Sequence, residues 1–148
     1  MTRRSRETEQ AVAEAAPLET ARAAAGGGAG RAGSDPLLAD LRRGGLLPLL
    51  VLHHLRGGPS YGNQLMERIT TVTGGLVGVN PNTVYPLLRD LEARGLVAGE
   101  WEHPERRSRR FYRLTEAGAA ERARLAEQLA PHLDAVAAAV EALRREVL

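Results

Sequence analysis

Three breaks divide the middle of this chain: Gly57-Gly58-Pro59, the glycine-bearing loop from Thr70 to Gly78, and Gly95. They leave room for three short helices and for little else. The first holds Leu46, Leu47, Leu49, Leu50, Val51, Leu52 and Leu55, with Pro48 in its opening turn, where a missing N–H matters least. In the second, Ser60 reads as the N-cap and Leu65, Met66 and Ile69 form one buried stripe. Asn63, Gln64, Glu67 and Arg68 fall outside that stripe. The third opens on Asn80 as N-cap with Pro81 in the first helical position. Val79 and Val84 are placed to form a hydrophobic staple across that start. Val84, Leu87, Leu88 and Leu91 then follow the i, i+3, i+4, i+7 spacing of a helix packed on a core.

Beyond Gly95 the pattern changes to strands. Leu96 to Glu102 is a strand candidate around Val97 and Trp101, His103-Pro104-Glu105 is a turn, and Arg109 to Leu114 is a second strand carrying Phe111 and Tyr112. The pair predicts a hairpin with an arginine-rich tip. Thr115 then caps a long final helix with apolar residues at Leu125, Leu129, Leu133, Val136, Val140, Leu143 and Val147. From Leu133 the steps alternate between three and four residues, the 3.5-residue period of a helix lying against a partner helix. Pro131 predicts a kink or break near Ala130.

Residues 1–34 differ from all of this. Ala, Gly, Arg and Glu dominate, and Ala23 to Gly33 is nearly all Ala and Gly. Such a segment buries too little to offset its ordering entropy, so a low-complexity, disordered arm is expected, with at most a transient helix over Glu7 to Ala16. The expected organisation is an arm over 1–34, a folded domain over 35–118 and a final helix over 119–148.

Composition narrows the function classes. There is no cysteine, which removes disulfides and thiolate metal sites. No apolar run approaches the roughly 18 residues of a membrane span. Arg3, Arg4 and Arg6 are not followed by the apolar stretch of a secretory signal, so a cytoplasmic protein is expected. The net charge is only +2, yet all 20 basic residues are arginine. A genome rich in G and C accounts for most of that bias. It does not account for Arg106, Arg107, Arg109 and Arg110 standing together.

Three short helices followed by a two-stranded wing is an arrangement in which the third helix enters the major groove of duplex DNA. The face of that helix outside its apolar stripe offers Asn82, Thr83, Tyr85 and Arg89. Asn can bridge adenine, Arg can bridge guanine and Thr can touch a thymine methyl. The helix N-terminus adds free N–H groups for a phosphate. An ordinary polar helix face would look the same in isolation. Pro86 sits beyond the first turn and removes one backbone hydrogen bond. At the wing, Arg106 and Arg107 occupy the turn, whereas Arg109 and Arg110 alternate faces.

Other chemistry is poorly supported. His53 and His54 are adjacent on a helix and cannot share a metal, and His103 and His132 have no ligand partner at metal spacing. Gly74-Gly75-Leu76-Val77-Gly78 lacks the Lys-Ser/Thr pair of a phosphate loop. No Ser-His-Asp set or carboxylate pair stands out. No enzyme, metal or cofactor is expected.

The same residues resemble the PadR family of bacterial winged-helix regulators, from about Leu46 to about Gly118. The resemblance rests on Leu46-Leu47-Pro48-Leu49-Leu50-Val51-Leu52, Gly58-Pro59-Ser60-Tyr61-Gly62-Asn63-Gln64-Leu65, Pro81 to Glu92, Arg94-Gly95-Leu96-Val97, Glu100-Trp101-Glu102 and Arg109 to Gly118, in that order. It implies a mainly α protein with a small β-hairpin: a winged helix-turn-helix domain plus a long C-terminal dimerisation helix. It also implies a homodimer, usually a repressor, that binds double-stranded DNA. The expected DNA-contacting set is Tyr61, Asn63, Gln64, Asn80, Asn82, Thr83, Tyr85, Arg89, Arg106, Arg107, Ser108, Arg109 and Arg110. The expected dimer seam is Leu125, Leu129, Leu133, Val136, Val140, Leu143 and Val147. Some members of the family take flat aromatic effectors between subunits. Here Trp101 lies on a wing strand and the final helix has no aromatic residue, which argues against such a pocket. A small-molecule effector is left open, as is an interaction module that keeps the scaffold without binding DNA.

Overall fold

The computed structural model describes residues 36–105 and 109–148. The expectations for the arm and for Arg106, Arg107 and Ser108 lie outside the described residues. The elements are α1 (Pro36–Arg43), α2 (Leu46–His54) with a 3₁₀ turn at Leu55–Gly57, β1 (Ser60–Tyr61), α3 (Gly62–Val72), α4 (Pro81–Ala93), β2 (Val97–Trp101), β3 (Arg110–Leu114) and α5 (Glu116–Val147). One apolar core joins them. Val51, Leu52, Leu65, Ile69, Val84, Leu88 and Leu91 are fully buried in it, as the helix stripes predict.

The helix starts and stops follow local chemistry. Asn80 caps α4, its side-chain oxygen accepting from the Thr83 N–H at 3.1 Å. At the other end Gly95 takes φ +76, and the Leu96 and Gly95 N–H groups return to the carbonyls of Leu91 and Glu92. That pair of bonds is a Schellman ending, which a left-handed glycine permits. Thr115 caps α5 by accepting from the Gly118 N–H at 3.0 Å. Gly118 is pressed against the Leu96 carbonyl so closely that a Cβ would overlap it. This contact fixes where α5 leaves the wing.

Four expectations change. The short helix α1 was not anticipated. Ser60 is not the cap of α3; it pairs with Tyr112 as part of β1, and its buried hydroxyl accepts from Arg68 Nη1 at 2.7 Å. With that hydroxyl engaged, the cap moves one residue to Tyr61, whose N–H donates to Gln64 Oε1 at 2.9 Å. The hairpin consequently gains a third strand, in the order β1-β3-β2, with Tyr61 opposite Phe111 and Trp101 opposite Arg110.

The third change concerns Pro131. Of the expected kink or break, the break is absent: α5 runs unbroken from Glu116 to Val147. Pro131 has no N–H for the Glu127 carbonyl, but Glu127 is exposed, so the open carbonyl faces water rather than core. The fourth concerns the seam. Leu125 and Leu129 are only 7% and 3% exposed and belong to the protomer's own core. A Cβ on Gly45 would sit 2.9 Å from Leu125 Cδ2, and one on Gly44 would sit 2.9 Å from Leu129 Cδ1. The α1–α2 corner therefore occupies the space a partner helix would need. Beyond Leu129 the helix leaves the core, and Leu133, Val140, Leu143 and Val147 are exposed, with Val136 half-buried. Among the described residues, no helix is long and apolar enough to cross a membrane.

Candidate nucleic-acid interface

Helices α3 and α4 form a fixed pair. The Tyr85 ring of α4 lies on the first residue of α3, where a Cβ on Gly62 would come within 2.5 Å of Tyr85 Cε1. Only a glycine allows that approach. Tyr85 and Leu87 are partly buried against the core. This leaves Asn82 and Arg89, two turns apart, exposed along one side of α4, with Thr83 half-buried next to Asn82. The spacing predicted for a reading face is therefore present, but Tyr85 serves first as packing.

Some expected contacts are already engaged. The side-chain oxygen of Asn80 holds the α4 cap, and that of Gln64 holds the α3 cap. Asn63 is exposed at the start of α3.

Two ion pairs brace the wing, and one of them ties it to α4. Arg110 was expected to face DNA. Instead its Nη2 donates to Glu92 Oε2 at 2.5 Å, across from β3 to α4. Its guanidinium stands 5.3 Å from the Trp101 ring centre and 5.8 Å from that of Tyr112. The same Glu92 oxygen accepts from the Gly99 N–H at 3.3 Å. Glycine at 99 leaves space for the guanidinium, which a Cβ would strike. Three elements thus meet at one carboxylate.

The second pair lies within the wing, at the end of the hairpin nearest its turn. Glu102 accepts from the Tyr61 hydroxyl at 2.9 Å through one oxygen and from Arg109 Nε at 3.3 Å through the other. Arg109 also stacks over the Tyr61 ring, 3.9 Å from its centre. Such stacking adds a modest cation–π attraction. The hydrogen bonds from Arg109 and from Tyr61 hold the Glu102 carboxyl below its ordinary range. The same bond to Glu102 raises the Tyr61 hydroxyl above 10.0. Below this cluster the hairpin is closed by a backbone bond from the Glu102 N–H to the Arg109 carbonyl at 2.6 Å. Glu92 and Glu102 were the residues the sequence reading missed. A signal existed for Glu102, which mirrors Arg109 across the predicted turn.

A two-helix unit with an exposed polar face, beside a small three-stranded wing, defines a winged helix-turn-helix regulator. A model of the transcriptional regulator PadR-like family matches residues 51–124. A transcriptional regulator of Mycobacterium tuberculosis is 37% identical over 100 residues, covering 68% of this chain and 80% of that protein. The crystal structure of a PadR family transcriptional regulator from Eggerthella lenta is 35% identical, covers 70% of this chain and 88% of its own, and superimposes with a TM-score of 0.56. A transcriptional regulator from Clostridium thermocellum is 25% identical, with coverage of 66% and 94% and a TM-score of 0.58. The chain belongs to the PadR-like family of transcriptional regulators.

Proposed function

We propose that this protein is a homodimeric repressor that binds specific duplex DNA sites, with Asn82 and Arg89 reading base edges. The observation that carries this reading is the division of α4. Val84, Leu88 and Leu91 are buried without residue, while Asn82 and Arg89 stand outward on the opposite side. Those two side chains suit adenine and guanine respectively. Membership of the family supports the repressor sense and a cytoplasmic setting, and release by a small molecule extends the same reading.

The dimer is supported by the end of α5. Leu133, Val140, Leu143 and Val147 are 39%, 44%, 62% and 70% exposed, on a 3.5-residue repeat. A stripe of that period is buried by a second helix. The proposed seam leaves out Leu125 and Leu129, which the protomer already covers.

Binding to promoter fragments of its own operon, measured by gel shift across salt concentrations, tests the proposal. The logarithm of affinity should fall with the logarithm of salt by roughly 0.9 for each phosphate neutralised. Arg89→Ala should relax base preference at one position by about 1–3 kcal/mol. Binding that ignores salt, or an Arg89 variant that weakens all sequences equally, contradicts it.

A further inference from the structure

We infer that Glu102 stands in for a DNA phosphate in the free protein, holding Tyr61 and Arg109 until duplex DNA displaces it. The inference rests on the DNA-binding reading above. It starts from a contrast between neighbours. Arg110 and Arg109 are consecutive, and each meets a carboxylate, but the two pairs are built differently. Glu92 and Arg110 are 34% and 29% exposed, flanked by Trp101 and Tyr112, and Glu92 also fixes a backbone N–H. That pair is part of the frame. Arg109 is 46% exposed, and its bond to Glu102 is longer, at 3.3 Å.

The geometry around Glu102 is that of an anion site. A phenol O–H and a guanidinium N–H, from two separate elements, each reach one carboxylate oxygen. Tyrosine hydroxyls and arginines are also donors that proteins use on DNA phosphates. The site opens to solvent on its arginine side, where Arg109 is 46% exposed against 29% for Arg110, while the two carboxylates are exposed alike. It adjoins α3, whose first residue supports Tyr85 of the reading helix. A phosphate arriving there would meet two oriented donors and one like charge. The carboxylate must give up both donors before they can bind DNA. Exposed ion pairs are weak enough to be exchanged in this way. Glu102 stays ionised at neutral pH because both donors favour its charged form.

The test compares full-length wild type with Glu102→Gln, on an operator fragment and on an unrelated duplex at fixed salt. Glutamine keeps an acceptor for Tyr61 but loses the charge that competes for Arg109. The variant should bind both duplexes tighter by roughly twofold to fivefold per protomer. The gain should be equal on both, because a phosphate contact carries no sequence information. It should vanish in an Arg109→Ala background. Glu100→Gln removes the same charge from an exposed site on β2 and should give a smaller gain. Glu102→Ala, measured identically, carries the comparison if glutamine alters folding by circular dichroism. Wild type that binds DNA while both Glu102 variants bind equally or more weakly overturns the inference and leaves the DNA-binding reading standing. So does a gain that persists without Arg109. Wild type that binds no duplex at low salt removes the DNA-binding reading itself.

Discussion

The reading face of α4 with its wing and the free end of α5 are both surfaces in want of a partner, yet their chemistry is opposite. Across the helix pair and the wing, Arg109, Arg110, Tyr61, Asn80 and Gln64 are engaged within the protomer through hydrogen bonds or ion pairs. On α5, Leu143 and Val147 are 62% and 70% exposed among the described residues. A polar surface satisfied at home can be left and rejoined with little change in free energy, because internal and external hydrogen bonds nearly cancel. An exposed apolar stripe gains about 25 cal/mol for each Å² it hides. The first surface suits reversible binding. The second suits a lasting one.

The largest expected effect comes from breaking the apolar side. Leu143→Glu places a charge in the proposed seam and should yield monomers by sedimentation velocity. Loss of the second half-site contact should then weaken operator binding by about 10²–10⁴-fold. Dimers that persist would show that the partner surface lies elsewhere. Leu129→Ala sharpens the boundary within the same helix. Leu129 is buried in the protomer, so its truncation should lower folding stability by about 2–5 kcal/mol in urea titration. The change in subunit affinity should be small by comparison.

Asn80→Ala probes the polar side. As a cap it should lower stability by about 1 kcal/mol. DNA affinity should fall alike on all sequences, because the helix start loosens rather than a base contact vanishing. A change of base preference would make Asn80 a reader. The smallest effect tests the body that carries both surfaces. Burial, then the neighbouring charges of His53 and Arg68, hold His54 below its ordinary 6.5, and its Nε2 is buried without a hydrogen bond among the described residues. The unfolded chain therefore takes up the proton first. Stability should be full above about pH 6.5 and decline as pH falls from there toward the lower folded value. His54→Asn should flatten that decline in thermal melts.

Periodicity and caps made α2, α3, α4, the hairpin and α5 legible, because each depends on residues within a few positions. The remainder depended on distant neighbours. Two-residue β1 exists only because β3 lies beside it, and no local pattern announces it. Helix α1 is eight residues long and follows an Ala/Gly-rich arm that obscures its start. The heptad-like spacing of α5 read correctly as apolar, but periodicity does not say which neighbour covers a stripe. It therefore could not separate Leu129, under the α1–α2 corner, from Leu143. In the candidate site, Asn82 and Arg89 were legible from the helix face they share. Glu92 was not, since it joins residues from different elements, and the one signal for Glu102 was its place opposite Arg109 across the turn.

Pro131 falls between the last core residue of α5, Leu129, and the first exposed residue of its apolar repeat, Leu133. It removes a rung of the helix ladder at the point where the shaft leaves its socket. A helix advances 1.5 Å and turns 100° per residue, so a small bend at that rung swings everything beyond it. In the proposed dimer, the same joint would set how far apart two copies of Arg89 stand, and so the count of base pairs between their half-sites. A residue far from any nucleotide would then calibrate the operator.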